Sequence, residues 1–184
     1  VELTDWRVIG GVQYDFPAGA ILHPGQTVVI LPFDPGQPVN AARTDAFRHH
    51  YGLHPAFPLI GGFAGQLDHN GDGLQLQRAD DPPAGEPGFL PYLLEDHVLY
   101  DNAAPWPTEP DGGGTSLTRN LPAEWGYLAT SWSAASPTPD VVAVYTDVVI
   151  NEVSFELPGS IVLTAPADTD LSPGETQQWT GVYT

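Results

Sequence analysis

Asp68, Asn70, Asp72 and Gly73 spell D-x-N-x-D-G, the front half of a loop in which side-chain oxygens at positions 1, 3 and 5 converge on a hard cation such as calcium. The twelfth position, where such loops carry a bidentate carboxylate, is Ala79, with Asp80 and Asp81 just beyond it. A site left open there would hold calcium only weakly. The same residues also read as a tight turn between Leu67 and Leu74, since Asn70-Gly71 and Asp72-Gly73 supply the positive backbone angles that a turn needs. Trp106, fixed between Pro105 and Pro107, is the second candidate: a rigid aromatic that either stacks on a sugar or plugs one end of a core.

Other chemistry-bearing groups read as structure. His50 and His54 have the four-residue spacing of zinc ligands on a helix, but Gly52 and Pro55 interrupt the helix which that spacing requires. With His49 they fit a solvated helix C-terminus, where the dipole favours them. Glu95 and Asp96 are adjacent, so on a strand they point to opposite faces and cannot flank one glycosidic bond. No G-x-S-x-G, P-loop, H-E-x-x-H or dinucleotide fingerprint occurs in the sequence, and the expectation is a chain without catalytic residues.

The elements that must position these residues are strands. Twenty glycines and twenty prolines punctuate short apolar runs, the rhythm of an all-β sandwich. Strands are expected over residues 6–9, 27–31, 74–77, 97–100, 115–118, 141–145, 148–155, 160–164 and 178–183, with a short strand framed by turns between 14 and 27. One helix is expected, capped by Asn40, with Phe47 and Tyr51 on one face and Gly52 at its left-handed end, covering an open end of the sandwich. Residues 80–88 read as loop, 89–94 as apolar chain returning to the core, and 133–140 as a proline-rich linker. The division that follows is a sandwich over 1–139 and a β segment over 140–184. That segment is too short to bury a core alone, so it either donates a strand or opens a second domain.

Composition narrows the partners. The formal charge is −18, from 23 acidic residues against five basic ones, all arginine. So few cations cannot neutralise a phosphate backbone or an anionic membrane surface, which leaves neutral partners or divalent cations. Cysteine is absent, so there are no disulfides and no thiolate metal site. Methionine is also absent, and the start at Val1 is that expected of a processed piece of a longer polypeptide. No apolar run approaches the ~20 residues of a membrane-crossing helix, so membrane insertion is not expected.

Several motifs occur together and in order: LTDWRV at 3–8, FPAGAILHPGQTVVI at 16–30, YGL at 51–53, GFAGQLDHNGDGLQL at 62–76, LYDNAAPWPTEPDGGGTSLTR at 99–119 and WSAASPTP at 132–139. In this the chain resembles the bacterial lamin-tail family over about three quarters of its length. The resemblance implies an immunoglobulin-like sandwich, noncatalytic, carried by secreted or cell-surface proteins and sometimes placed beside hydrolase domains. Members open with a V-I-N-E strand and a second strand ahead of the L-x-x-W motif; neither precedes Val1, and the signature stands late, as VVINEV at 148–153. Val148, Val149, Ile150, Asn151, Glu152, Val153 and Phe155 are therefore the expected assembly strand, filling the vacancy of a neighbouring copy and building a head-to-tail filament. The alternatives are insertion into the same chain's sandwich and the start of a second domain. The expected function is surface attachment or assembly, with copies of itself or other domains of the parent protein as partners. The alternative function is a carbohydrate- or calcium-binding module tethered to an extracellular enzyme.

Overall fold

In a computed structural model the protein is described at residues 1–121, 124–140, 147–155 and 159–165. Two sheets face each other. One has five strands in the order β5-β2-β1-β6-β7: β1 (Arg7–Gly10), β2 (Val12–Asp15), β5 (Ala64–Gly65), β6 (Gly71–Ala79) and β7 (Tyr92–Asp101). The other has six in the order β4-β3-β11-β10-β8-β9: β3 (Thr27–Leu31), β4 (Leu59–Gly61), β8 (Ser116–Arg119), β9 (Trp132–Ala135), β10 (Val149–Ser154) and β11 (Ser160–Thr164). Only the β3–β4 pair is parallel among the described strands. The chain is thus an all-β sandwich with one short helix.

The main core lies between the sheets. Val8, Leu74, Leu76, Val98 and Tyr100 come from the five-stranded side, and Val28, Ile30, Leu117, Ile161 and Leu163 from the six-stranded side. Alternation along each strand sends these residues inward and their neighbours outward. On β3 and β11 the neighbours are apolar as well. Val29, Leu31 and Val162 form a second cluster on the outer face with Phe33, Phe47 and Leu53, which is why every residue of β3 is buried.

The helix α1 (Ala41–His50) supplies Phe47 to that cluster. It follows Asn40 and ends against Gly52 at φ +64, a backbone angle glycine adopts without strain. It lies on the outer face of the six-stranded sheet and does not cover an end of the sandwich, because the apolar outer positions of β3 and β11 need a cover. Three further expectations are corrected. Phe89, Leu90, Leu93 and Leu94 are exposed and do not return to the core. Residues 132–135, read mostly as linker, form the edge strand β9. Between β2 and β3, in place of the expected short strand, there is only an isolated bridge, Glu2 to Ile21. The expected strands at 141–145 and 178–183 lie outside the described residues.

Trp6 immediately precedes β1 and is buried in the main core in phase with Val8. Its carbonyl accepts the Phe16 N–H at 2.9 Å, so the backbone cannot turn the indole outward. Trp6→Ala is expected to cost about 3–5 kcal/mol through the cavity it leaves. Urea denaturation followed by circular dichroism reads the loss, and an unmoved midpoint would place the indole on the surface.

Candidate functional site

The structure brings the two sequence candidates into one open cleft of about 620 Å³, lined by Asn70, Asp72, Leu99, Asp101 and Trp106 among others. Trp106 is only 9% exposed and belongs to the main core cluster. Its backbone N–H donates to the Ala103 carbonyl at 3.0 Å, and its side chain both packs in the core and lines the cleft.

At the turn, Asp68, Asn70 and Asp72 are neighbours, and several of their oxygens accept hydrogen bonds within it. Asp68 Oδ1 accepts the Asn70 backbone N–H at 2.8 Å and its side-chain amide at 3.0 Å. Those bonds, the backbone one foremost, hold the Asp68 carboxyl below the ordinary range. Asp72 Oδ1 accepts the Gly73 N–H at 2.7 Å, and Oδ2 the Asp68 N–H at 3.3 Å. Asn70 Oδ1 accepts from the Asn102 amide at 3.4 Å. Among the described residues, no three His, Asp or Glu side chains converge as a cation site requires. Tyr100 supports the turn from below, its hydroxyl donating to the Asp68 carbonyl at 2.9 Å. Burial, reinforced by the Asp72 and Asp68 charges, pushes that phenol above its usual value.

Val148, Val149, Ile150, Asn151, Glu152, Val153 and Phe155 are all buried, and β10 pairs on both sides within the same chain. On one side Val149, Ile150, Glu152, Val153 and Ser154 pair with β11; on the other Glu152 and Val153 pair with Thr118 and Leu117 of β8. The register shifts between Ile150 and Glu152, leaving Asn151 as the extra residue of a bulge. The bulge changes the parity of the strand, so Val148 and Ile150 before it and Val153 and Phe155 after it all reach the main core. Phe155 then stacks on Tyr100, ring centres 4.9 Å apart and planes at 3°.

What seats this strand is a buried ion pair that sequence reading passed over. β7 has its own register shift, between Leu76/Asp96 and Gln77/Leu94, and beyond it Asp96, Val98 and Tyr100 point inward. Asp96 Oδ2 accepts from Arg119 at 2.6 Å, with both side chains almost wholly buried, and from the backbone N–H of Ile150 at 2.9 Å. Arg119 also donates to the Glu124 carbonyl at 2.7 Å. Removing one partner of such a pair costs about 3–5 kcal/mol, because the other charge is left buried and uncompensated. The signal was present in sequence: an acid in period-two phase with Val98 and Tyr100, opposite a chain whose only basic residues are five arginines. The neighbouring Glu95 points away and meets Arg78 at 2.6 Å.

His49, His50 and His54 do not assemble a metal site: all three are exposed, and His54 Nδ1 accepts the Ala56 N–H at 3.1 Å. Among the described residues no helix is long and apolar enough to cross a membrane. Comparison with family models, with curated proteins and with solved structures finds no match to the chain.

Glu152, on β10, is the second buried acid among the described residues. Its Oε2 accepts the Thr138 N–H at 3.0 Å and the Thr138 hydroxyl at 3.4 Å. Burial raises its carboxyl above the ordinary 4.5, helped by the Asp140 charge and opposed by hydrogen bonds from Thr138 and Ser116. With the folded-state value raised, the folded chain keeps this proton while the unfolded chain loses it. Stability from this group is therefore full below about 4.5 and falls as pH rises through the folded value. Glu152→Gln, which keeps an acceptor for Thr138, should be as stable as the parent or more stable at pH 7. Its advantage should shrink toward pH 4 when urea midpoints are compared across that range. A variant equally weakened at both pH values would show that the carboxylate is held charged.

Proposed function

We propose that the chain is a noncatalytic, lamin-tail-like module of an extracellular bacterial protein, working in surface attachment or in assembly between copies by strand complementation. The observation that carries the reading is the seat of β10. A strand bearing the family's opening signature, V-I-N-E at 149–152, fills an interior slot between β8 and β11. The immunoglobulin-like character of the sandwich belongs to the same reading and rests on the motifs quoted above.

Assembly follows from how the seat is made. Apart from β11, the groups that hold β10 lie at or before residue 140: Asp96, Leu117, Thr118, Arg119 and Thr138. The strand pair β10–β11 enters after them and adds a hairpin between two strands already in place. Delivered from a neighbouring copy, the hairpin would make the same bonds, so exchange leaves the folded contacts unchanged and alters only which chain supplies them. Asp96, Arg119 and Glu152 are engaged in holding the sandwich, Asp96 with Arg119 and Glu152 with Thr138, which supports the noncatalytic reading.

The absence of cysteine makes the test direct. Leu117 and Val153 are cross-strand partners, so Leu117→Cys and Val153→Cys chains are refolded together at high concentration and oxidised. A disulfide joining the two different chains, with light scattering reporting dimers or longer species, is the expected outcome. Monomers at every concentration, or oligomers without the interchain disulfide, would overturn strand exchange.

A further inference from the structure

Trp125 and Tyr127 stand on either side of Gly126 and are 58% and 52% exposed. Their ring centres lie 6.3 Å apart with planes inclined at 27°, a loosely stacked pair. Large aromatics left in water have to be explained by what holds them there. Here the holding is explicit. Three consecutive carbonyls of the loop are bound from beneath by buried donors: Glu124 by Arg119 at 2.7 Å, Trp125 by the Ser131 hydroxyl at 2.9 Å and Gly126 by the Trp132 indole at 2.7 Å. The Leu128 N–H closes a turn onto the Trp125 carbonyl at 3.1 Å. Gly126 is pressed so close to β7 that a Cβ would sit 2.6 Å from Asp96 Oδ1 and 2.7 Å from the His97 carbonyl. The core thus fixes the loop backbone and leaves both aromatic residues more than half exposed.

We propose that Trp125 and Tyr127 form a stacking platform for a neutral polysaccharide built of β-linked pyranoses. A pyranose with equatorial substituents presents a flat C–H face to an aromatic ring and keeps its hydroxyls at the rim, and a pair of adjacent rings suits adjacent sugars of one chain. A pinned platform loses little conformational freedom on binding, which is where an exposed aromatic gains its affinity. Polar groups stand close in sequence for the rim: Glu124 carries a carboxylate whose Oε2 accepts from the exposed Thr130 hydroxyl at 3.2 Å. The charge of −18 with no lysine argues against a nucleic acid or a sulfated glycan, and an uncharged ligand avoids that repulsion. The platform lies in a loop distinct from the β10 seat, so its failure leaves the assembly reading standing, and the reverse also holds.

The test is retention of the full chain by insoluble cellulose, chitin and xylan, with affinity electrophoresis in the soluble forms. The parent should be retained by at least one of them, and 0.5 M NaCl should leave that retention unchanged. Trp125→Ala and Tyr127→Ala should each weaken it at least tenfold while leaving the urea midpoint within error, because both side chains are largely in water. Trp106→Phe, at the cleft, should not alter it. No retention by any of the three, retention indifferent to Trp125→Ala, or retention abolished by salt would overturn the proposal; the last outcome would assign the rings to a cationic partner.

Discussion

Asp96 sits on β7 of one sheet and accepts hydrogen bonds from Arg119 of β8 and from the Ile150 amide of β10, both in the other. A carboxylate almost wholly buried is tolerable only with its charge paired and its lone pairs occupied. That requirement ties the sheets at one point and demands β10 specifically, since an Asp96 without the Ile150 N–H would face the core with a partner missing. The pair then works outward. Arg119 reaches the Glu124 carbonyl, Trp132 binds the Gly126 carbonyl, and the loop they hold presents Trp125 and Tyr127.

Two bulges make this arrangement possible. The one in β7 changes the phase of the strand so that Asp96 faces inward with Val98 and Tyr100, and the one in β10 brings both halves of the strand's apolar residues to the core. Beyond the second bulge, Phe155 stacks on Tyr100, whose hydroxyl supports the Asp68 carbonyl. The seat of β10 and the aspartate turn at the cleft are therefore joined through two packed aromatic rings.

Legibility in the sequence tracks how strongly periodicity was expressed. TVVIL at 27–31 and SIVLT at 160–164 are continuous apolar runs, and β3 and β11 occupy those same residues. Such runs signalled burial on both faces, yet the cover for the second face, α1, could not be placed without knowing the sheet order. The strands β4 and β5 span three and two residues, too few to carry a period. β9 was hidden by its serine and alanine content beside prolines. Bulges defeated the rest: a phase change inside a strand makes Asp96 look like half of an acidic pair, and makes the Trp125 loop, which it anchors, look like ordinary connecting chain. The D-x-N-x-D-G turn was readable because it depends on local spacing alone.

The most direct test of this account is amide hydrogen exchange at Ile150, measured by NMR on the intact chain. The Ile150 N–H donates to the Asp96 carboxylate of the other sheet, a bond that ladder formation does not supply. If the Asp96–Arg119 pair seats β10, Ile150 should exchange only through global unfolding, as slowly as Val153 and Leu163 in the strand interiors. Exchange at Ile150 faster by orders of magnitude than at those two, in a chain otherwise folded, would contradict the claim that this buried pair holds the strand.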